Sequence, residues 1–216
     1  KDENEYSNIV HFSSASAIEE VSGSIVTQFS ADPSQTDGTQ STSSFRPTFD
    51  PDSLNGRWGA VYDGSDDRLI TGTYDEFTVY IVARRLADNQ VNVTYSGNAD
   101  SLDYWFLEGA NSSTFINTGS SGLQWPNVLN QDFYLRSARM EENSNGDALI
   151  RIDSDTKVTG SMDGGVKGSH AIGYRIGTGD NFWNGEINSV LGFNSQHSVS
   201  LMQKFEQLLR NYYATP

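Results

Sequence analysis

The chain contains no cysteine. Zinc–thiolate centres, disulfide staples and thiol nucleophiles are therefore excluded. A chain of 216 residues needs no disulfides to hold a core, so the redox compartment stays open. No apolar run is long enough to cross a bilayer as a helix. Basic residues are scarce: 14 Lys and Arg stand against 28 Asp and Glu, for a formal net charge of −14. Such a surface repels a phosphate backbone, which argues against DNA or RNA as a partner. Proline is limited to 5 residues, so the connections are not polyproline-like. There is no initiator methionine and no signal-peptide pattern, and the start at Lys1 suggests a processed chain or an excised domain.

What is present points to many short strands. Twenty glycines, Asn-rich turns and Ser/Thr-rich connections punctuate runs of β-branched and aromatic residues. Residues 1–25 read as an N-terminal arm or a first edge strand, with a short apolar patch at Ile9, Val10 and Phe12. Residues 30–44 read as an exposed, mobile polar loop, because that composition buries no core. Trp58, Ala60 and Tyr62 alternate with small or polar residues, giving a half-buried strand that ends at Asp63-Gly64. Phe77 to Arg84 is apolar with little interruption, the pattern of a central strand covered on both faces. Val91–Tyr95, Tyr104–Leu107, Phe133–Leu135 and Ala148–Ile152 follow as strands. Asn145-Gly146 and Asp163-Gly164-Gly165 are turn signals between them. Tyr174–Gly177 and Phe182–Val190 are the last two strands. From Ser198 the period becomes helical: Val199, Met202, Phe205, Leu208, Leu209 and Tyr212 fall near one face, and Ser198 suits the N-cap. One helix closing a β-rich chain packs over an edge or end of a sandwich. No internal repeat is visible.

These landmarks carry a family resemblance. Phe45-Arg46-Pro47-Thr48-Phe49 with Leu54-Asn55-Gly56, the turn Val61-Tyr62-Asp63-Gly64-Ser65-Asp66-Asp67-Arg68-Leu69, the run Phe77–Arg84, Tyr174–Gly177, Gly185-Glu186-Ile187 and the closing helix occur in order. From about Val26 to Ala214 the chain resembles the concanavalin A-like lectin/glucanase superfamily in its laminin G-like form, found in bacterial and phage surface proteins. The resemblance implies an all-β, two-sheet antiparallel jelly-roll sandwich with one C-terminal α-helix, residues 26–216 forming a single domain. Folds of this kind host many functions, so function must come from sites.

The residues that a catalytic member of the fold would need are missing. A retaining hydrolase requires two carboxyl groups about 5–5.5 Å apart, which on one strand face means acids at even spacing. Asp153 and Asp155 share a face but have no Glu beside them, Glu141 and Glu142 point to opposite faces, and Glu186 is followed by the neutral Asn188. An alginate-lyase-type site needs a Gln-x-His strand, and His11, His170 and His197 all lack that glutamine; Arg139-Met140-Glu141 and Tyr134 leave the set incomplete. There is no Gly-x-Ser-x-Gly elbow and no P-loop. No catalytic residue is expected.

Two constellations suit binding. Asp63, Asp66 and Asp67 crowd one turn, and three carboxylates that close repel unless a cation or backbone amides sit among them, so a Ca²⁺ site competes with a plain solvated turn. No stretch fits the EF-hand pattern. Sugars stack their C–H faces on aromatic rings. Trp125, in the loop-like Gly122-Leu123-Gln124-Trp125-Pro126-Asn127, is the first candidate platform, with Asn127 beside it. Trp183, among Asp180, Asn181 and Asn184, is the second. Trp58 and Trp105 lie in strand patterns and read as core. Asn92-Val93-Thr94 and Asn111-Ser112-Ser113 match the N-glycosylation pattern and read as accidents of composition.

The expectation is a non-catalytic glycan- or receptor-binding domain of a secreted, cell-surface or virion-surface protein. One alternative is a structural or decoration domain making protein–protein contacts in a virion or adhesin. The other is a polysaccharide hydrolase or lyase, dependent on Glu141 or Glu186.

Overall fold

The computed structural model describes residues 9–14, 21–22, 25–26, 28–29, 38–73, 77–86, 92–97, 104–109, 113–118, 121–126, 132–141, 146–162, 168–174 and 182–214. Short strands lead in: β1 (Ile9–Ser14), β2 (Val21–Ser22), β3 (Ile25–Val26), β4 (Gln28–Phe29) and β5 (Gly38–Thr39). The body comprises β6 (Thr48–Leu54), β7 (Arg57–Asp63), β8 (Leu69–Thr73), β9 (Thr78–Arg85), β10 (Asn92–Gly97), β11 (Tyr104–Gly109), β12 (Ser113–Thr118) and β13 (Ser121–Trp125). It continues with β14 (Tyr134–Met140), β15 (Gly146–Ile152), β16 (Asp155–Met162), β17 (Ser169–Ile172) and β18 (Asn184–Phe193), and α1 (Val199–Tyr213) closes the chain.

The strands form two packed antiparallel sheets, a β-sandwich. The larger has ten strands in the order β16-β15-β14-β9-β18-β7-β6-β3-β2, with β1 paired to β18 beside this path. The smaller has eight, in the order β13-β12-β11-β10-β17-β8-β5-β4. Tyr62, Leu69, Val79, Ile81, Ile150 and Ile172 fill the space between them.

β9 reads as a continuous apolar run because both its faces are covered. Val79, Ile81 and Ala83 point into the sandwich, whereas Tyr80 and Val82 point outward and are covered by α1. The Val and Ile side chains among them each contribute roughly 1.5–3 kcal/mol by leaving water. β18 alternates until a register shift between Ile187 and Ser189, a bulge that brings both Ile187 and Val190 to the inner face.

α1 starts as the sequence indicates: Ser198 Oγ accepts the amide of Leu201 at 3.2 Å. Its buried stripe differs from the expected one. Met202, Phe205, Glu206 and Tyr213 are buried, whereas Val199, Leu208 and Tyr212 are exposed. The stripe turned toward the sheet admits a charged residue because Arg151 and Ser137 reach Glu206 from below.

Other expectations change locally. The polar loop at 30–44 ends in paired backbone, since Gly38–Thr39 pairs with β4 and β8 and Gly38 is buried; residues 30–37 lie outside the described ones. Tyr174 forms only an isolated bridge to Phe182 rather than a strand, and 175–181 lie outside the described residues. So do Asn145 and the Asp163-Gly164-Gly165 turn.

Candidate functional site at one end of the sandwich

Register gathers several candidate residues at one end of the larger sheet. Asp63 pairs with Asn184 and Gly185 with Arg85. Ala83 pairs with Tyr134, Arg136 with Ile152, and Ile152 with Asp155. The acidic turn that follows β7 thus stands on one flank of this end, and Asp155 and Lys157 of β16 stand on the other.

Asp63, Asp66 and Asp67 each present a carboxylate oxygen within 4.8 Å of the others. The turn is held partly by its own backbone. Asp63 Oδ1 accepts the amides of Ser65 at 2.8 Å and Asp66 at 3.4 Å, and Asp67 Oδ2 accepts the amide of Asp63 at 3.0 Å. Burial, reinforced by the Asp63 and Asp66 charges, pushes the Asp67 carboxyl up to about 7 against the opposing pull of the Asp63 amide. Tyr62, buried next in sequence, is also raised, chiefly by burial and then by the Asp67 charge. Hard oxygen donors at this spacing suit a Ca²⁺ ion, which would relieve the crowding that the amides relieve only in part.

Asn184, proposed from sequence as a sugar ligand, stands against this turn. Its Nδ2 donates to the Asp63 carbonyl at 3.1 Å. Gly64, at φ +78°, fits beneath it, because a Cβ there would come within 2.7 Å of the Asn184 Cβ. Arg68 leaves the turn with its guanidinium 4.0 Å from the Phe45 ring centre and 5.3 Å from that of Tyr174. Tyr174 in turn stacks on Phe182 at 4.9 Å.

Trp125 is the last residue of β13, an edge strand, rather than part of a loop. Its ring is half-buried, packs against the main core and carries Lys157 Nζ 5.6 Å from its centre. Lys157 also pairs with Asp155 at 2.8 Å. Asn127 lies outside the described residues.

Trp183 does not offer a platform. It is fully buried, part of the main core, with the Arg136 guanidinium 5.6 Å from its ring. Its polar neighbours in sequence suggest a surface loop, but its amide bonds the Gly173 carbonyl at 2.8 Å and the indole plugs the sandwich end. Asp180 and Asn181 lie outside the described residues.

Trp58 corrects the sequence reading in the opposite direction. It shares the inward side of β7 with Ala60 and Tyr62, yet it is 41% exposed, at the strand's far end. Its ring meets Phe49 edge-on at 5.5 Å. The missed signal is Asn55-Gly56, two residues before it: a two-residue hairpin turn, with φ of 51° and 72° and Leu54 paired to Arg57 across it, puts Trp58 at the tip of the β6–β7 hairpin, where it is exposed. Of Trp105 the backbone lies in β11, and its side chain is outside the described set.

The acids considered for catalysis stand apart from this end or from one another. Glu186 is buried on the helix-facing side, ion-paired with Arg84 and accepting the Ser53 hydroxyl at 2.5 Å. Asp153 lies in the β15–β16 turn at φ 49° and accepts the Leu135 amide at 3.0 Å, so it does not share a strand face with Asp155.

A scan against protein-family models finds no match, and a comparison with curated proteins finds none either. Solved structures do match. The chain is similar to domain 4 of AbnA, an extracellular arabinanase of Geobacillus stearothermophilus, solved with arabinotriose: TM-score 0.64, 14% identity, 93% of this chain and 98% of that one. It is similar to Trypanosoma rangeli sialidase with 2,3-difluorosialic acid: TM-score 0.62, 10% identity, 92% of this chain but 32% of that one. It is also similar to the receptor-binding domain of botulinum neurotoxin type G: TM-score 0.58, 11% identity, 94% of this chain and 52% of that one. These likenesses establish the β-sandwich fold.

Proposed function

We propose that this chain is a non-catalytic glycan- or receptor-binding domain of the concanavalin A-like, laminin G-like kind, working outside the cell or on a cell or virion surface. The observation that carries the reading is Trp125: an indole half-exposed at the tip of an edge strand, with a cation and a carboxylate from β16 beside it. A sugar presents C–H faces to such a ring and hydroxyls to such charges. The Asp63-Asp66-Asp67 turn, braced by Asn184, is a Ca²⁺ site that orders the opposite flank. Structures solved with arabinotriose and a sialic acid analogue, together with a toxin's receptor-binding domain, support this class of partner. Engagement of Glu186 by Arg84 and Ser53 supports a binding rather than a hydrolytic role.

A glycan array probed with the chain, with and without calcium, tests this. Retention on defined glycans, strengthened by calcium, is expected. No retention in either condition overturns the reading. Turnover of a polysaccharide that disappears with Glu186→Gln would replace it with the enzyme alternative.

A further inference from the structure

The Asn55-Gly56 pair does more than turn the chain. Both residues are exposed, at φ of 51° and 72°, in the two-residue turn between β6 and β7. The Asn55 side chain reaches across to the end of α1, where its Nδ2 donates to the carbonyls of Tyr213 at 2.7 Å and Ala214 at 3.2 Å. Both partners can only accept, so the NH2 side of the amide has to face them. The last carbonyls of a helix have no donor within the helix, and here the hairpin supplies one from 158 residues away in sequence. Ala214 leaves the helix in the left-handed region, at φ 50°, without the glycine that is usual there. Beneath it Tyr213 is buried with Leu54, Val82 and Leu135, and its hydroxyl donates to the Asn188 carbonyl at 3.0 Å.

An exposed asparagine followed by glycine is also open to attack by its own backbone. The Gly56 nitrogen forms a bond to the Asn55 Cγ, and the side-chain nitrogen leaves as ammonia. Water then opens the resulting five-membered imide at one of its two carbonyls, giving aspartate in normal linkage or isoaspartate. One water is consumed and one ammonia released, and no oxidant, metal or other protein group is required. Glycine favours the attack because no Cβ shields its nitrogen. The clamp opposes the attack, because Cγ cannot swing toward Gly56 until the hydrogen bonds to the helix open. The product in turn opposes the clamp. A carboxylate has no N–H to donate, and it sets negative charge against two carbonyl oxygens at the negative end of the helix dipole.

We propose that Asn55 is a site of spontaneous deamidation, and that its conversion is a one-way release of the end of α1 from the β6–β7 hairpin.

The full chain, folded and in urea, is incubated in mildly alkaline buffer, and the Asn55 peptide is followed by mass spectrometry well past full conversion of the unfolded sample. Conversion is expected in both, about fivefold to a hundredfold slower in the folded chain, which is the opening penalty of two hydrogen bonds. Asn55→Asp reproduces the product in normal linkage, and it is expected to fold because Asp-Gly suits the same turn as Asn-Gly. Hydrogen exchange in the last turn of α1 is expected to be at least about tenfold faster in this variant than in the parent. Asn55→Gly, which keeps the turn and removes the clamp without adding charge, is expected to fall between the two. Conversion as fast in the folded chain as in urea, conversion confined to urea, no conversion in either, or exchange in Asn55→Asp equal to the parent's would each overturn the proposal.

Discussion

Asn184 donates its side-chain amide to the backbone carbonyl of Asp63, joining the start of β18 to the acidic turn across 121 residues of sequence. The contact depends on Gly64, whose positive φ and missing Cβ let the turn sit under Asn184. Gly64→Ala is expected to cost about 1–3 kcal/mol, from strain at positive φ and from the clash, measured by urea unfolding. A variant as stable as the parent would show that the turn is not held this way.

Asp67 and His197 act on stability in opposite directions with pH. The Asp67 carboxyl moves from an ordinary 3.8 up to about 7 in the fold, mainly through burial. Between those values the native state holds a proton that the unfolded chain has released, so this group lowers stability as pH rises from about 4 to about 7. Burial pulls His197, whose Nδ1 meets the Tyr80 hydroxyl at 2.8 Å, from 6.5 down to about 4. The native state stays neutral where the unfolded chain takes up a proton, so that contribution is lost as pH falls through the same range. Asp67→Asn removes the first effect alone. Its stability relative to the parent is expected to grow steadily between about pH 4 and pH 7. Parallel pH curves would contradict this. Millimolar calcium at neutral pH is expected to stabilise the parent and not the variant.

Glu206 is fully buried under α1, gripped by Arg151 at 2.7 and 2.9 Å and by the Ser137 hydroxyl. Glu206→Ala strands a buried guanidinium and is expected to cost about 3–5 kcal/mol. Glu206→Gln keeps the shape and part of the hydrogen bonding, and its cost is expected to be smaller. Thermal unfolding distinguishes them, and equal melting temperatures for all three proteins would rule out a structural role for the pair.

Trp183→Ala empties a fully buried site and is expected to cost about 3–5 kcal/mol. A loss under 1 kcal/mol in denaturant unfolding would mean that the indole is not core.

Features with local causes were legible in the sequence. The run that became β9, the strand ending at Asp63 and the Ser198 cap each follow from neighbours in the chain. Features decided by distant partners were not. Glu206 occupies the helix's buried stripe because of Arg151, 55 residues away. Trp183 is drawn inward by Arg136 and Gly173, although its sequence neighbours are polar. Alternation put Trp58 on the inward side of its strand but carried no information on where the facing sheet stops. Nor could the sequence show that Asn184 and Lys157 lie on opposite flanks of one sheet end, which the register of β7, β18, β9, β14, β15 and β16 decides, or that Lys157 reaches the Trp125 ring from there.

The most direct measurement is a calorimetric titration of the tightest glycan from the array into the parent and into Trp125→Ala, alongside their unfolding curves. Trp125 is half-buried, so the variant is expected to lose about 1–2 kcal/mol of stability yet unfold cooperatively. Glycan binding lost in a variant that still folds is the expected result. Binding of equal strength in both proteins would contradict the central claim.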